Sequence, residues 1–130
     1  MTCFWNGLLA RLSVNEINRA LCVNYSYKPE PKEFAILLKF RAVLATDVIC
    51  GERLSQKALD ENLESVLNYN VDTIYNGYDC STCDPFLLLV CQLFVIDIYH
   101  NYNGSFVKYV NTKNINGKIL SVSSDKGHLW

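Results

Sequence analysis

Through the first two-thirds of the chain the apolar positions recur at helical spacing. Phe4, Leu8 and Leu12 share one face with Trp5 and Leu9 beside them, which predicts an amphipathic helix opening close to Cys3. Ser13-Val14-Asn15-Glu16 reads as a capping box, with the serine as cap and the glutamate reaching back. The helix after it is expected to bury Val14, Ile17 and Leu21. Tyr25 to Lys28 predicts a loop, and Pro31 suits the first turn of the next helix. From Phe34 to Cys50 the apolar face runs Phe34, Leu37, Leu38, Leu44 and Val48, with Lys39 and Arg41 interspersed and Gly51 ending the segment. Ser55 caps a further helix with Leu59, Leu63, Val66 and Leu67 inward and Asp60, Glu61 and Glu64 outward. Asn68 to Asp84, rich in Asn, Gly, Tyr and Asp, predicts a long surface loop. Asp84-Pro85 then supplies an N-cap and a first-position proline to a buried helix over Phe86 to Leu93.

After that helix the period changes. Phe94-Val95-Ile96-Asp97-Ile98-Tyr99 is β-branched and aromatic, and reads as a strand. Asn103-Gly104 is a hairpin signal leading into a strand from Ser105 to Val110. Asn116-Gly117 is a second turn of that kind, ahead of a third strand from Lys118 to Ser123. Asp125-Lys126-Gly127 turns once more and delivers His128 to the start of a last short strand. Helices first and an antiparallel β-meander after them predict one α+β domain over residues 1–130.

Composition narrows the function classes. Half of the 130 residues are apolar, 19% are charged and the net charge is −1, as expected of a globular domain. Without an excess of Lys and Arg there is no electrostatic footprint for nucleic acid. The longest apolar run, Pro85 to Tyr99, is short for a membrane span and contains Gln92 and Asp97. Arg11 and Glu16 interrupt the early apolar pattern, so no secretory signal is expected and the six cysteines are expected reduced, in the cytoplasm.

The candidate chemistry lies at the two ends. A cysteine opening a helix feels the positive end of the helix dipole and its unpaired amides, which favour a thiolate and can hold an oxyanion. Cys3 is therefore a candidate nucleophile, the alternative being a small buried hydrophobe. His128 follows a turn glycine and precedes Leu129 and Trp130, which makes it a candidate base or a surface histidine. His100, in a Tyr-His-Asn-Tyr-Asn hairpin tip, reads as solvent-exposed. Cys80-Ser81-Thr82-Cys83 has the spacing of half a zinc site or of a redox pair, but lacks a second ligand pair and a βαβ context. Cys22, Cys50 and Cys91 lie within apolar patterns and read as core. No glycine-rich phosphate loop, paired-carboxylate motif or His-Glu-x-x-His pattern occurs, so no cofactor or metal is assigned.

In the order of its parts the chain resembles the OTU (ovarian-tumour-domain) cysteine proteases, divergent viral members in particular. The resemblance rests on Cys3-Phe4-Trp5 at a helix start, on the buried run from Asp84 to Tyr99, and on Gly127-His128-Leu129-Trp130 closing a set of strands. It covers nearly the whole chain and implies a papain-like fold, with Cys3 as nucleophile, His128 as general base, and an oxyanion hole from the Cys3 amide and neighbouring loop amides. It also implies cleavage of isopeptide or peptide bonds after a Gly-Gly-type tail. The expected substrates are ubiquitin or ubiquitin-like conjugates or the chain's own polyprotein, in the host cytoplasm for a viral member. Trp5 and Trp130 become candidate liners of a narrow tail channel. The third catalytic group is unassigned, with Asp125, Asn6 or a simple Cys-His dyad as the alternatives. The chain is expected to be a fragment of a longer polypeptide.

Overall fold

A computed structural model describes residues 3–43, 55–81, 84–125 and 128–130. Helix α1 (Cys3–Arg11) turns Phe4, Trp5, Leu8 and Leu9 inward, and Leu12 follows them into the core. Trp5 is wholly enclosed, edge-on to Phe86 at 4.9 Å, to Phe4 at 5.0 Å and to Phe34 at 6.2 Å. Tyr69 and Tyr78 complete the shell. Edge-to-face packing sets the positive rim of one ring against the negative face of the next.

The capping box of α2 (Val14–Leu21) forms as expected. Ser13 Oγ accepts from the Glu16 amide at 3.1 Å, and Glu16 Oε1 accepts from the Ser13 amide at 2.9 Å. Ile17 and Leu21 are buried and Val14 is half-buried. Cys22, expected in the core, is exposed. It ends α2 in the left-handed conformation, one residue past Leu21 and so rotated off the Ile17–Leu21 stripe, with its sulfur 2.9 Å from Arg41 Nη2. Pro31 opens α3 (Pro31–Ala42), which buries Phe34, Ala35, Leu38 and Ala42. The expected continuation through Leu44, Val48 and Cys50 to Gly51 lies outside the described residues. Ser55 caps α4 (Gln56–Asn68) by accepting from the Ala58 amide at 3.1 Å. This helix rests on α3 with one narrow face, so Val66 is buried, Leu59 and Leu63 are half-buried, and Leu67 stays exposed.

The segment after α4 departs from the surface loop expected of it. A 3₁₀ turn (Val71–Asn76) buries Ile74 completely, and Cys80 and Asp84 are buried beyond it. Its average polarity hides these inward residues, which alternate with exposed Asp72, Tyr75, Gly77 and Asp79. Asp84 caps α5 (Pro85–Phe94), accepting from the amides of Phe86 at 2.9 Å and Leu87 at 3.2 Å, with Pro85 in the first helical position. Helices α2, α3 and α4 lie against α5, as does the sheet, so seven of its ten residues are buried, Cys91 among them. Val95 ends it at φ 54°, and the turn at Val95-Ile96 takes up residues expected to begin the next strand.

Strand β1 (Asp97–Tyr102) pairs with β2 (Ser105–Tyr109) in an antiparallel hairpin, from Ile98 opposite Tyr109 to Tyr102 opposite Ser105. Its turn residues Asn103 and Gly104 both have positive φ, as a two-residue loop matched to strand twist requires. The third strand corrects the expected meander. β3 (Ile119–Ser124) lies on the other side of β1 and parallel to it, giving a mixed sheet in the order β2-β1-β3. Asn116-Gly117 therefore closes no hairpin. Residues 110–118 carry the chain past the start of β1, anchored by buried Asn111. Its side chain donates to the Cys91 carbonyl at 2.9 Å and its amide donates to Asp97 Oδ1 at 3.0 Å. The α+β class stands, as helices with a small mixed sheet. After β3 the chain doubles back, Leu129 bridging Ser124 while Ser123 and Trp130 exchange amide-to-carbonyl hydrogen bonds at 2.8 and 2.7 Å. Among the described residues no helix is long and apolar enough to cross a membrane.

Glu16 joins two layers, since its carboxylate also pairs with the Lys118 ammonium ahead of β3. Burial pushes the Glu16 carboxyl up, but Lys118 and the Ser13 amide outweigh it and hold the group below its ordinary value. Its contribution is thus fully present above the unfolded carboxylate range and lost as pH falls through the folded pKa. Glu16→Gln, which keeps the capping oxygen but loses the ion pair with Lys118, is expected to cost up to about 1 kcal/mol at pH 7. The gap to wild type should close below the carboxylate range in urea unfolding followed from pH 7 downward.

Candidate functional site

Cys3 is the first residue of α1 and is half-buried. Gly7 and Arg11 follow at successive helical turns, so the three share one face. The far end of the chain lies along that face. A Cβ on Gly7 would fall 2.4 Å from Leu129 Cδ2, so the close seat of Leu129 on α1 depends on the missing side chain. Arg11 donates through Nη1 to the Gly7 carbonyl at 2.8 Å and through Nε to the Ser121 carbonyl at 3.4 Å, which lays α1 against β3. The two ends of the polypeptide thus meet, one turn along α1 from Cys3 and one residue from His128.

His128 itself is exposed. Its amide donates to Asp125 Oδ1 at 2.9 Å, and its ring Nδ1 lies 3.5 Å from the same oxygen. A carboxylate at Nδ1 directs the other ring nitrogen, Nε2, away from it, as a base oriented by an acid requires. No hydrogen bond joins the Cys3 sulfur to His128 among the described residues; contact between the ends runs through Leu129 on Gly7. Asn6, the other candidate third group, lies on the exposed side of α1. Trp130 is exposed, whereas Trp5 lines no channel: it is sealed in the aromatic core, because its place beside Phe4 on the α1 stripe turns it inward.

A second cluster lies in the core beneath the sheet. His100, expected at an exposed hairpin tip, is fully buried in the middle of β1. The hairpin turns at Asn103-Gly104, and strand alternation puts His100 on the inner face with Ile98. That parity was the available signal. His100 Nε2 lies 2.5 Å from Ser124 Oγ and 3.8 Å from Cys80 Sγ. Behind Cys80, buried Asp84 accepts through Oδ2 from the Tyr78 hydroxyl at 2.8 Å and the Ser81 amide at 3.2 Å. Burial, with the nearby Asp84 carboxylate, pushes the Cys80 thiol up to about 12. Burial also holds His100 below its ordinary value. Both groups are thus kept neutral near pH 7, a thiol beside an imidazole rather than a thiolate–imidazolium pair. Of the Cys80–Cys83 motif, Cys83 lies outside the described residues, and among the described residues no three His, Cys, Asp or Glu side chains gather to hold a metal ion.

The outer face of the sheet carries a shallow depression of about 250 Å³, lined by Tyr99, Asn101, Phe106, Lys108, Ser121 and Ser123. Phe106 is 78% exposed there, and Lys108 Nζ stands 5.2 Å from the centre of the Tyr99 ring.

Two outcomes follow from these contacts. A base whose folded pKa is depressed costs stability as pH falls below its unfolded value of about 6.5. Wild type should accordingly lose stability below that pH, and His100→Gln should flatten this part of the profile in thermal unfolding. At α1, Gly7→Ala gains about 1 kcal/mol of helix propensity but meets Leu129. The substitution should stabilise a Leu129→Ala background by that amount and fail to stabilise wild type, a coupling that a double-mutant cycle in urea reads directly. No family model matches the chain, and neither a curated protein nor a solved structure shows significant similarity to it.

Proposed function

We propose that the chain is an OTU-like cysteine protease of papain-like build, cleaving isopeptide or peptide bonds after a Gly-Gly-type tail. The reading rests on one observation above the others: Leu129 is seated on Gly7, so the helix that begins at Cys3 and the segment that carries His128 are packed together. In this mechanism His128 takes the Cys3 proton and the sulfur attacks the scissile carbonyl carbon. The tetrahedral oxyanion is held by the Cys3 amide and neighbouring loop amides. His128 then protonates the leaving amine, and an acyl-enzyme remains. Water, deprotonated by His128, attacks the thioester and releases the carboxylate and the free sulfur. Asp125 orients the ring through Nδ1. The substrates are ubiquitin or ubiquitin-like conjugates, or the chain's own polyprotein if it is viral, and the site of action is the cytoplasm, that of the host for a viral protein.

The exposure of His128, without a hydrogen bond to Cys3, favours a second reading: a catalytically inactive OTU-like domain that binds ubiquitin or another protein. An electrophilic probe at the C-terminus of ubiquitin tests both. Protease chemistry predicts labelling of wild type, none of Cys3→Ala, and turnover lower by about 10³-fold or more in His128→Ala. Labelling that survives Cys3→Ala sinks the nucleophile assignment. Equal ubiquitin binding by wild type and His128→Ala, with turnover by neither, selects the binding domain.

A further inference from the structure

His128 is exposed, so its place depends on the backbone around it. Part of what holds that backbone comes from beneath the sheet. Ser124, the last residue of β3, is buried, and three contacts converge on it. Its hydroxyl meets His100 Nε2 at 2.5 Å, its carbonyl accepts from the Asn103 amide at 2.8 Å, and its backbone bridges Leu129. On either side of it, Ser123 exchanges hydrogen bonds with Trp130, and the Asp125 amide donates to the His128 carbonyl at 3.0 Å. Besides the seat of Leu129 on Gly7, the residues about His128 thus hang from the last residues of β3 and from Asp125, and the inward Ser124 side chain is tied to His100.

We propose that His100 and Ser124 form a positioning pair whose hydrogen bond in the core fixes the end of β3, and with it Asp125 and His128, against α1. The assignment deepens the protease reading and rests on His128 as its base. His100 touches no reacting atom; it acts through Ser124. Its register partner on β3 is Val122, so the ring reaches diagonally, two residues along the same face, to find the hydroxyl. The tautomer follows from the surroundings. Among the described residues Nδ1 has no partner, so a proton there would bury an N–H without an acceptor. The proton belongs on Nε2, donated to Ser124 Oγ. Among the described residues the groups facing the ring are Cys80 from the segment before α5, Ser124 from β3, Tyr109 from β2 and Tyr102 from β1. None is a carboxylate, and the nearest buried one, Asp84, stands on the far side of Cys80. A second proton on the ring would thus have no counter-ion and no acceptor, so the buried ring is held in its neutral form.

Amide hydrogen exchange tests the pair without reference to catalysis, because the Ser123 and Trp130 amides report the terminal segment and the β1–β2 hairpin amides report the core. Ser124→Ala and His100→Phe are expected to speed exchange at Ser123 and Trp130 by about tenfold or more beyond any change in the hairpin. His100→Gln, whose amide nitrogen also reaches Ser124, should stay within about threefold of wild type. Exchange that is unchanged at Ser123 and Trp130, or raised equally in the hairpin, overturns the proposal. If His100→Phe does not fold, Ser124→Ala decides alone. Turnover of a ubiquitin C-terminal amide separates the two readings. A fall in kcat at constant KM in Ser124→Ala and in His100→Phe, restored in His100→Gln, carries the pair into catalysis. The local exchange effect with no turnover even in wild type leaves the pair standing and removes the protease.

Discussion

A carboxylate with no exposed surface has to be satisfied from within, and Asp84 is satisfied from several directions at once. The first turn of α5 supplies the Phe86 and Leu87 amides, and the segment before it supplies the Tyr78 hydroxyl and the Ser81 amide. The Asp84 backbone amide, in turn, donates to the Tyr109 hydroxyl of β2 at 2.8 Å. Withdrawing a carboxylate from water costs several kcal/mol unless such donors replace the hydration. Burial pushes the Asp84 carboxyl up, and those hydrogen bonds pull against it. Helix, preceding segment and sheet are therefore tied together at one residue. None of the three is free to move without stranding a buried polar atom.

Around that node the layers follow from simple burial. α5 is apolar on nearly every side, Gln92 excepted, because it has helices on one side and strands on the other. The Trp5 cluster fills the space between α1, α3, α5 and the tyrosines of the segment after α4. The sheet is covered on one face only, which is why His100 sits in the dark while its neighbours in β1, Tyr99 and Asn101, border an open depression. The same one-sidedness sends Leu129 onto α1 and leaves His128 and Trp130 outward.

Much of this was legible in the residues. The Ser13–Glu16 box, Ser55, Asp84-Pro85 and Asn103-Gly104 act through backbone groups within a few residues of themselves, so their geometry is local and readable. The helix start at Cys3 and the buried α5 came from periodicity alone. Other positions misled for equally physical reasons. Cys22 lay in an apolar context but one step past the buried stripe. The polar neighbours of His100 point to a surface, while its strand parity points inward.

Local chemistry in the sequence thus determined where helices begin, which faces are apolar, that strands follow helices, and that a cysteine and a histidine stand near opposite ends. Tertiary structure decided the rest. β3 joins β1 in parallel rather than β2 in a meander, a choice made by the anchoring of Asn111 on Cys91 and Asp97. The ends meet because Gly7 admits Leu129, and His100 reaches Ser124 across two strands. These are contacts between residues up to more than a hundred positions apart, as from Arg11 to Ser121. No window of neighbouring residues contains them, because they arise only once separate faces have been buried against one another.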